Sequence, residues 1–411
     1  MSDPVSKALP SPPYLHVALG APAWPRAQFS NGIVTYVDEL RRELIAQGHR
    51  VTVFTGEVGI LSTSDEPVFQ LKPTWGERVV RRIRRATGRR ESLRDSSEMV
   101  ARALKRQHRR DPFDVIEMEE SFGHAGPIAA ALPVPLVVKL HGPAFLTMVG
   151  EDLQSEFAKE KIRAEGEALK AVRFLMSPSR CTLEETIDYY RLQPKFAAHI
   201  VNPLGDENVQ QWSLDTCDKE TVLYVGRFDL IKGADLLIRA FGLLLQKRPS
   251  LKLIFVGPDP GLLNDRGPPI RLDDFASSIG GESLRTAISY RGSLPPEQIK
   301  ALRTCALVSV LSSRRENQPY AALEAMLQGC PVVCNDSSGL SELVAHEVTG
   351  LKASRDDCED LAFQILRVIE NPEMGARLGA AARAYVLRAH SPKSVAARTL
   401  DVYRQAIAHC Q

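Results

Sequence analysis

Glu316 and Glu324 are separated by seven residues, Asn-Gln-Pro-Tyr-Ala-Ala-Leu, that carry the chain from a loop into a helix running to about Gln328. Pro319 suits the first turn of that helix, where a backbone N–H has no intrahelical acceptor. The outward amides of such a turn, with the helix dipole, make a site for an anion such as phosphate. Glu324 on the helix can accept two hydroxyls of a ribose, and Glu316 on the loop can grip the hydroxyls of a sugar. Two glutamates at this spacing also arise by chance. A second cluster is the run Gly226-Arg227-Phe228-Asp229-Leu230-Ile231-Lys232-Gly233, with Arg227 just past a strand and Lys232 just before a helix. A reaction that expels the diphosphate of a sugar nucleotide needs fixed cations and amides where negative charge grows. Charge-assisted contacts of this kind are roughly twice as strong as neutral ones. Standing alone, the pair would be an ordinary surface Arg and Lys.

These residues must be held by elements the sequence also announces. From Leu15, short β-rich runs alternate with helical patterns, the signature of parallel sheets covered on both faces. Leu15–Gly20 predicts a first strand, Ile33, Val37, Leu40 and Leu44 fall at helical spacing before Gly48, and Arg50–Thr55 predicts a second strand. Further strands are expected at Asp114–Met118, Leu136–Leu140, Phe174–Ser177 and His199–Asn202. The pattern restarts with strands at Thr221–Arg227 and Leu251–Gly257 around a helix at Ala234–Gln246. It continues with strands at Ala287–Tyr290, Leu307–Leu311 and Pro331–Cys334, and the junction between the halves is expected near Gly205–Asp218. Two such Rossmann-like, doubly wound halves bind ligands at the carboxyl ends of their strands, in a cleft where they face each other. His141 follows an apolar strand and precedes Gly142, a candidate site position. Glu119 and Glu120 follow the Asp114 strand, as an acceptor-side base or as ordinary loop carboxylates.

Composition narrows the class. A chain of 411 residues calls for two or three domains. Its 44% hydrophobic and 25% charged residues fit a globular protein, and a net charge of +2 gives no general affinity for nucleic acid. Met1–Pro13 lacks the basic and apolar segments of a secretory signal, and no apolar run reaches the roughly 18 residues of a membrane span. Seven scattered cysteines suit a reducing cytoplasm, and Cys330 and Cys334, flanking Pro-Val-Val, lack the partners of a zinc site. Two stretches break the regularity. Residues 78–110 carry thirteen arginines and lysines against acids at Glu91, Asp95 and Glu98, which reads equally as a solvated helix pair or as a surface for an anionic membrane or acceptor. Val79, Val80 and Ile83 suit either a core or a membrane. Asp259–Gly280, rich in Pro, Gly and Asp, is expected to be a surface loop.

Taken together these motifs resemble the retaining glycosyltransferase family 4 group, with the GT-B fold. The resemblance is strongest from Leu223 to Lys352: Gly-Arg-Phe-x3-Lys-Gly, then Glu-x7-Glu followed by Ala-Met-x2-Gly-Cys-Pro-Val-Val, then Ser338-Gly339-x2-Glu342-Leu343-Val344. It implies that Arg227 and Lys232 bind the donor diphosphate, Glu316 the donor sugar and Glu324 the ribose, with Tyr290 and Arg291 against the base. It places Asn31 and Gly32 in the family's Gly-Gly loop by the donor phosphate and His141 beside the donor sugar. Departures are Asn31 for a glycine, tolerated if φ is positive there, Gln318 for a common aromatic, and Pro319 for a glycine, which leaves the amides of Tyr320 and Ala321 for phosphate. The implied organisation is an acceptor-binding domain over residues 1–205, a nucleotide-sugar domain over 206–385, and a C-terminal helix over 386–411 packed back on the first domain. The implied activity is retaining transfer from a nucleoside diphosphate sugar, with no cofactor or metal, to a glycan or lipid-linked acceptor hydroxyl in cell-surface glycan or glycolipid synthesis, with a small soluble metabolite as the alternative acceptor. The expected place is the cytoplasm, or its membrane face through the basic region. Hydrolysis or epimerisation of a sugar nucleotide, and a catalytically silent scaffold, remain as other readings.

Overall fold

A computed structural model describes residues 14–29, 31–62, 67–75, 77–78, 82, 92–148, 155–205, 209–263 and 267–410. The chain divides into two compact units, one of residues 1–203 with 392–411 and the other of residues 204–391. Each is a parallel sheet flanked by helices.

In the first unit the strands are β1 (His16–Trp24), β2 (Arg50–Val58), β3 (Val68–Gln70), β4 (Val115–Glu119), β5 (Leu136–Lys139), β6 (Phe174–Ser177) and β7 (Phe196–His199). Their order in the seven-stranded sheet is β3-β2-β1-β4-β5-β6-β7. The sheet is legible because its central strands are buried on both faces and therefore apolar almost throughout. The Gly32–Ala46 helix buries Val34, Val37, Leu40 and Leu44 and ends before Gly48. Expected at His199–Asn202, the last strand instead runs Phe196–His199, where it pairs residue for residue with β6. The Pro392–Ala408 helix also belongs to this unit, and its Tyr403 hydroxyl donates to Glu117 of β4 at 2.6 Å. This helix begins at Pro392, not at 386: residues 386–389 finish the preceding Pro372–Ala389 helix, and Pro392 cannot continue it.

The second unit contains β8 (Asp218–Val225), β9 (Lys252–Val256), β10 (Ile288–Tyr290), β11 (Ala306–Leu311), β12 (Val332–Asn335) and β13 (Leu351–Ala353), ordered β10-β9-β8-β11-β12-β13. Asp259–Gly280 is not wholly a loop, because a helix spans Leu272–Ala287. Leu272, Phe275 and Ala276 bury one face of it, and the Asp259 carboxylate accepts the Leu272 amide at 3.0 Å. Gly281, at φ +64° and ψ −160°, interrupts the helix, a break that explains the glycine-rich composition.

Within the basic stretch the described helix is Leu93–Arg110, started by a Ser92–Asp95 capping box. It buries Val100, Ala101, Ala103 and Leu104, and Arg109 and Arg110 lie in its last turn, where cations favour the dipole. Arg102 pairs with Glu77 at 2.9 Å and Arg94 with Glu98 at 3.2 Å. Arg81, Arg84, Arg85, Arg89, Arg90, Val79, Val80 and Ile83 lie outside the described residues, as does Met1–Pro13. Among the described residues no helix is long and apolar enough to cross a membrane.

Candidate active site

The Arg227–Gly233 loop leaves the carboxyl end of β8 and is braced from below. The buried Tyr224 hydroxyl lies 3.2 Å from the Arg227 carbonyl and 3.1 Å from that of Lys232, and Ser312 Oγ donates to the Lys232 carbonyl at 3.1 Å. Burial holds the Tyr224 phenol well above its ordinary pKa, so it stays a donor. Asp229 organises the loop from within: one oxygen accepts the Lys232 amide at 2.7 Å, and the other pairs with the Arg227 guanidinium at 2.7 Å. Gly233 closes the loop at φ +60°, where a Cβ would lie 1.9 Å from the Ser312 carbonyl oxygen. Glycine is required there on both counts.

Glu316 meets this loop directly. The Lys232 ammonium lies 2.5 Å from Glu316 Oε1, and the same oxygen accepts from Ser313 Oγ at 2.8 Å. Ser313 is itself fixed, because its carbonyl accepts from Ser337 Oγ at 2.5 Å and from Asn335 Nδ2 at 3.3 Å. Arg314 ties the segment to the Ala234–Lys247 helix that follows the Arg227–Gly233 loop, with two bonds to Asp235 at 2.6 and 2.9 Å, and makes a further contact to Asp356 at 2.9 Å. The Gly339 amide donates to the Glu316 carbonyl at 2.9 Å, and a Cβ on Gly339 would fall 1.4 Å from the Asn317 carbonyl oxygen. Two chain segments thus touch backbone to backbone behind Glu316.

The helix after Glu316 spans Tyr320–Gln328, with Pro319 as its N-cap and no side-chain cap. The amides of Ala322 and Leu323 are engaged by the Pro319 carbonyl at 3.1 and 3.2 Å. Asn317 and Gln318 are buried on the approach. Glu324 is partly exposed, and one of its oxygens lies 2.7 Å from the guanidinium of Arg303, a fully buried residue of the Pro296–Cys305 helix. Tyr290 ends β10 exposed, and the Arg291 amide donates to the Phe255 carbonyl at 2.9 Å. Arg227, Lys232 and Glu316 therefore form one cluster, and Glu324 and the Tyr290–Arg291 pair lie on the same unit.

Asn31, Gly32 and His141 lie on the first unit. Asn31 does not use a positive φ: it is extended at φ −141°, and its side chain caps the Gly32–Ala46 helix by accepting from Ile33 N at 2.8 Å. The His141 ring packs edge-on against Tyr36 of that helix, at 5.0 Å between centroids. Burial, and then the nearby Lys139 charge, push its pKa down to about 3, so the imidazole is neutral at physiological pH. Glu120 is no free base: it is buried, and its two oxygens accept the amides of His141 at 2.9 Å and Gly142 at 2.7 Å. Burial pushes Glu119 up to about 7. Cys330 and Cys334 are buried free thiols pushed up to about 12, and among the described residues no cluster of three His, Cys, Asp or Glu could hold a metal.

Sequence reasoning missed Ser313 and Arg303, and it named Asp229, Gly339 and Glu120 without their supporting roles; all five act on a predicted residue from behind. Arg303 left a faint signal, since it shares a helical face with Ile299 and Leu302 and a cation on an apolar stripe is unusual.

Two family models match consecutive parts of the chain: Glycosyltransferase Family 4 over residues 30–204, and Glycosyl transferases group 1 over residues 206–385. This chain belongs to the group 1/family 4 glycosyltransferases. Over 405 residues the glycosyltransferase is 28% identical to a D-inositol 3-phosphate glycosyltransferase of Nocardioides sp., covering 92% of this chain and 86% of the relative. Among solved structures it resembles sucrose-phosphate synthase from Thermosynechococcus elongatus, with a TM-score of 0.74 at 21% identity over 96% of this chain and all of that one. Anabaena HepE, solved with UDP-glucose, gives a TM-score of 0.68 at 17% identity over 94% of this chain and all of that one. These likenesses establish the two-domain GT-B fold.

Proposed function

We propose that this glycosyltransferase moves a sugar from a nucleoside diphosphate sugar to an acceptor hydroxyl with retention at the anomeric carbon. The observation that carries the reading is the Lys232–Glu316 contact at 2.5 Å beside Arg227. A cation suited to a diphosphate thus lies beside a carboxylate suited to sugar hydroxyls, and the cation's loop is held through its backbone at Arg227 and Lys232. In the reaction the bond from the anomeric carbon to the phosphate oxygen breaks, and a bond from that carbon to the acceptor oxygen forms on the same face. The departing phosphate oxygen takes the acceptor's proton. Arg227 and Lys232 stabilise the charge left on the diphosphate. Glu316 orients the sugar, Glu324 accepts from the ribose, and neutral His141 offers a hydrogen bond to the sugar without adding charge.

The acceptor reading favoured by similarity is a small polyol, since the Nocardioides relative is named for D-inositol 3-phosphate. A lipid-linked or cell-surface acceptor reached through the basic 78–110 region is the second reading. It is favoured by the exposed Trp75 beside that region, because an aromatic flanked by cations suits a membrane interface. Turnover of UDP-glucose, UDP-N-acetylglucosamine and GDP-mannose, with NMR of the product's anomeric configuration, tests the main reading. Retained configuration in an acceptor-dependent product supports it; inversion, or nucleotide release that no acceptor stimulates, defeats it. Flotation with anionic vesicles tests the second reading, which fails if the protein stays with the soluble fraction.

A further inference from the structure

The loop that carries His141 is held by buried carboxylates that no sequence motif points to. Glu120, at the end of the β4 segment and 1% exposed, gives one oxygen to the His141 amide and the other to the Gly142 amide, at 2.9 and 2.7 Å. Glu165, from the Glu156–Lys170 helix and also 1% exposed, accepts the Ala144 amide at 2.9 Å and the Tyr190 hydroxyl at 2.8 Å. Phe145 then stacks on Tyr189 with ring centroids 4.0 Å apart and meets Tyr190 edge-on. Three of four consecutive residues thus have their amides taken by carboxylates, the fourth being Pro143, which has none.

Burying two carboxylates this close is costly unless they do something that a neutral pair could not. Burial, and then the Glu120 charge, push Glu165 up to about 8, so Glu165 carries a proton at neutral pH. Burial raises Glu120 as well, while the amides of His141 and Gly142 and the Lys161 charge pull the other way. The His141 ring is meanwhile set against Tyr36, whose own ring lies under the Lys139 ammonium at 4.8 Å. The backbone of His141 is therefore fixed from one side and its ring from the other.

We propose that Glu120 is a positioning residue for the transfer reaction: its carboxylate holds the His141–Gly142 backbone so that the imidazole meets the donor sugar in one geometry. The proposal rests on the reading of His141 as the group beside the donor sugar. A Gln at position 120 keeps the size but can accept only one of the two amides, because its nitrogen is a donor. Glu120→Gln should therefore lower kcat by about 10-fold or more, as a misplacement of catalytic groups by a fraction of an ångström does, with UDP binding unchanged. In the double variant with His141→Ala, turnover should be no lower than in His141→Ala alone, because Glu120 acts through His141. Hydrogen exchange read by mass spectrometry on the full chain should speed up in the peptide holding His141 and Gly142 and nowhere in residues 204–391. Losses that multiply in the double variant, or unchanged exchange at His141 and Gly142, overturn the positioning role. Wild-type kcat in Glu120→Gln with faster exchange overturns it too, while showing that the clamp exists. Wild-type kcat in His141→Ala instead overturns the reading of His141 on which the proposal rests. Glu165→Gln serves as a second variant: it should speed exchange at Ala144 while leaving His141 held.

Discussion

Replacing Gly339 by alanine should disable the donor site without touching a group that contacts substrate. The added Cβ would lie 1.4 Å from the Asn317 carbonyl oxygen, 2.5 Å from its carbon and 3.1 Å from the Glu316 oxygen, whereas ordinary contact begins near 3.4 Å. The obstacle is backbone, so no rotamer relieves it, and the two segments must part by about 2 Å. That movement lengthens the 2.9 Å bond from Gly339 N to Glu316 and shifts the Glu316 carboxylate away from Lys232. A displacement of about 1 Å at a reacting centre can cost about 10²-fold in rate, so kcat/KM should fall by about 10²-fold or more. Overpacking should also cost about 1–3 kcal/mol of stability. The assay is nucleoside diphosphate release from the fastest donor of the panel, run on protein whose circular dichroism and melting temperature are recorded. Gly242→Ala is the control, since its Cβ meets nothing nearer than the Leu284 side chain at 3.4 Å and lies within a helix. It should keep full activity and melt no lower. A Gly339→Ala protein with kcat/KM within about threefold of wild type would refute the reasoning, because the close approach would then be doing nothing for the site.

Three further outcomes follow from individual contacts. Arg303→Met, which trades a buried cation for an apolar chain of similar length, should leave stability nearly unchanged, while Arg303→Ala should lose about 3 kcal/mol or more in urea unfolding; both should weaken UDP binding in calorimetry by freeing Glu324, and wild-type affinity in both would remove Arg303 from the site. Tyr224→Phe should cost about 1 kcal/mol and lower kcat/KM, since the Arg227 carbonyl loses the hydroxyl and the Lys232 carbonyl keeps only Ser312; unchanged turnover would show that the loop holds its shape without it. Glu165 has a folded pKa of about 8 against 4.5 when free, so the folded state binds the extra proton between those values, and its contribution is present below 4.5 and lost as pH rises through 8. Between pH 5 and 8, Glu165→Gln should gain about 3 kcal/mol on wild type in urea unfolding, and parallel curves for the two proteins would contradict the shift.

What the sequence disclosed and what it withheld separate along physical lines. Buried parallel strands such as Val332–Asn335 are continuous apolar runs, so they stand out, as does the Gly32–Ala46 helix with its spaced Val34, Val37, Leu40 and Leu44. The edge strands Val68–Gln70 and Leu351–Ala353 are three residues each, too short for any pattern to register. The helix at Leu272–Ala287 was hidden by the glycines and aspartates that start and break it. Arg227, Lys232 and Glu316 were legible because motifs mark them. Their supports were not, because Ser313, Gly339 and Tyr224 act through contacts whose partners lie anywhere from 3 to 23 residues away and obey no spacing rule. Asn31 shows the opposite failure: a residue type that permits positive φ was used instead for its capping oxygen.

The central claim is that Arg227 and Lys232 hold the diphosphate of a sugar nucleotide. Calorimetric titration of UDP, GDP, ADP and dTDP into the wild type and into the Arg227→Ala, Lys232→Ala double variant tests it most directly. The account predicts that at least one of the four binds the wild type and that its affinity drops by about 10²-fold or more in the double variant. Binding of equal strength in both proteins, or binding of none of the four to the wild type, would contradict it.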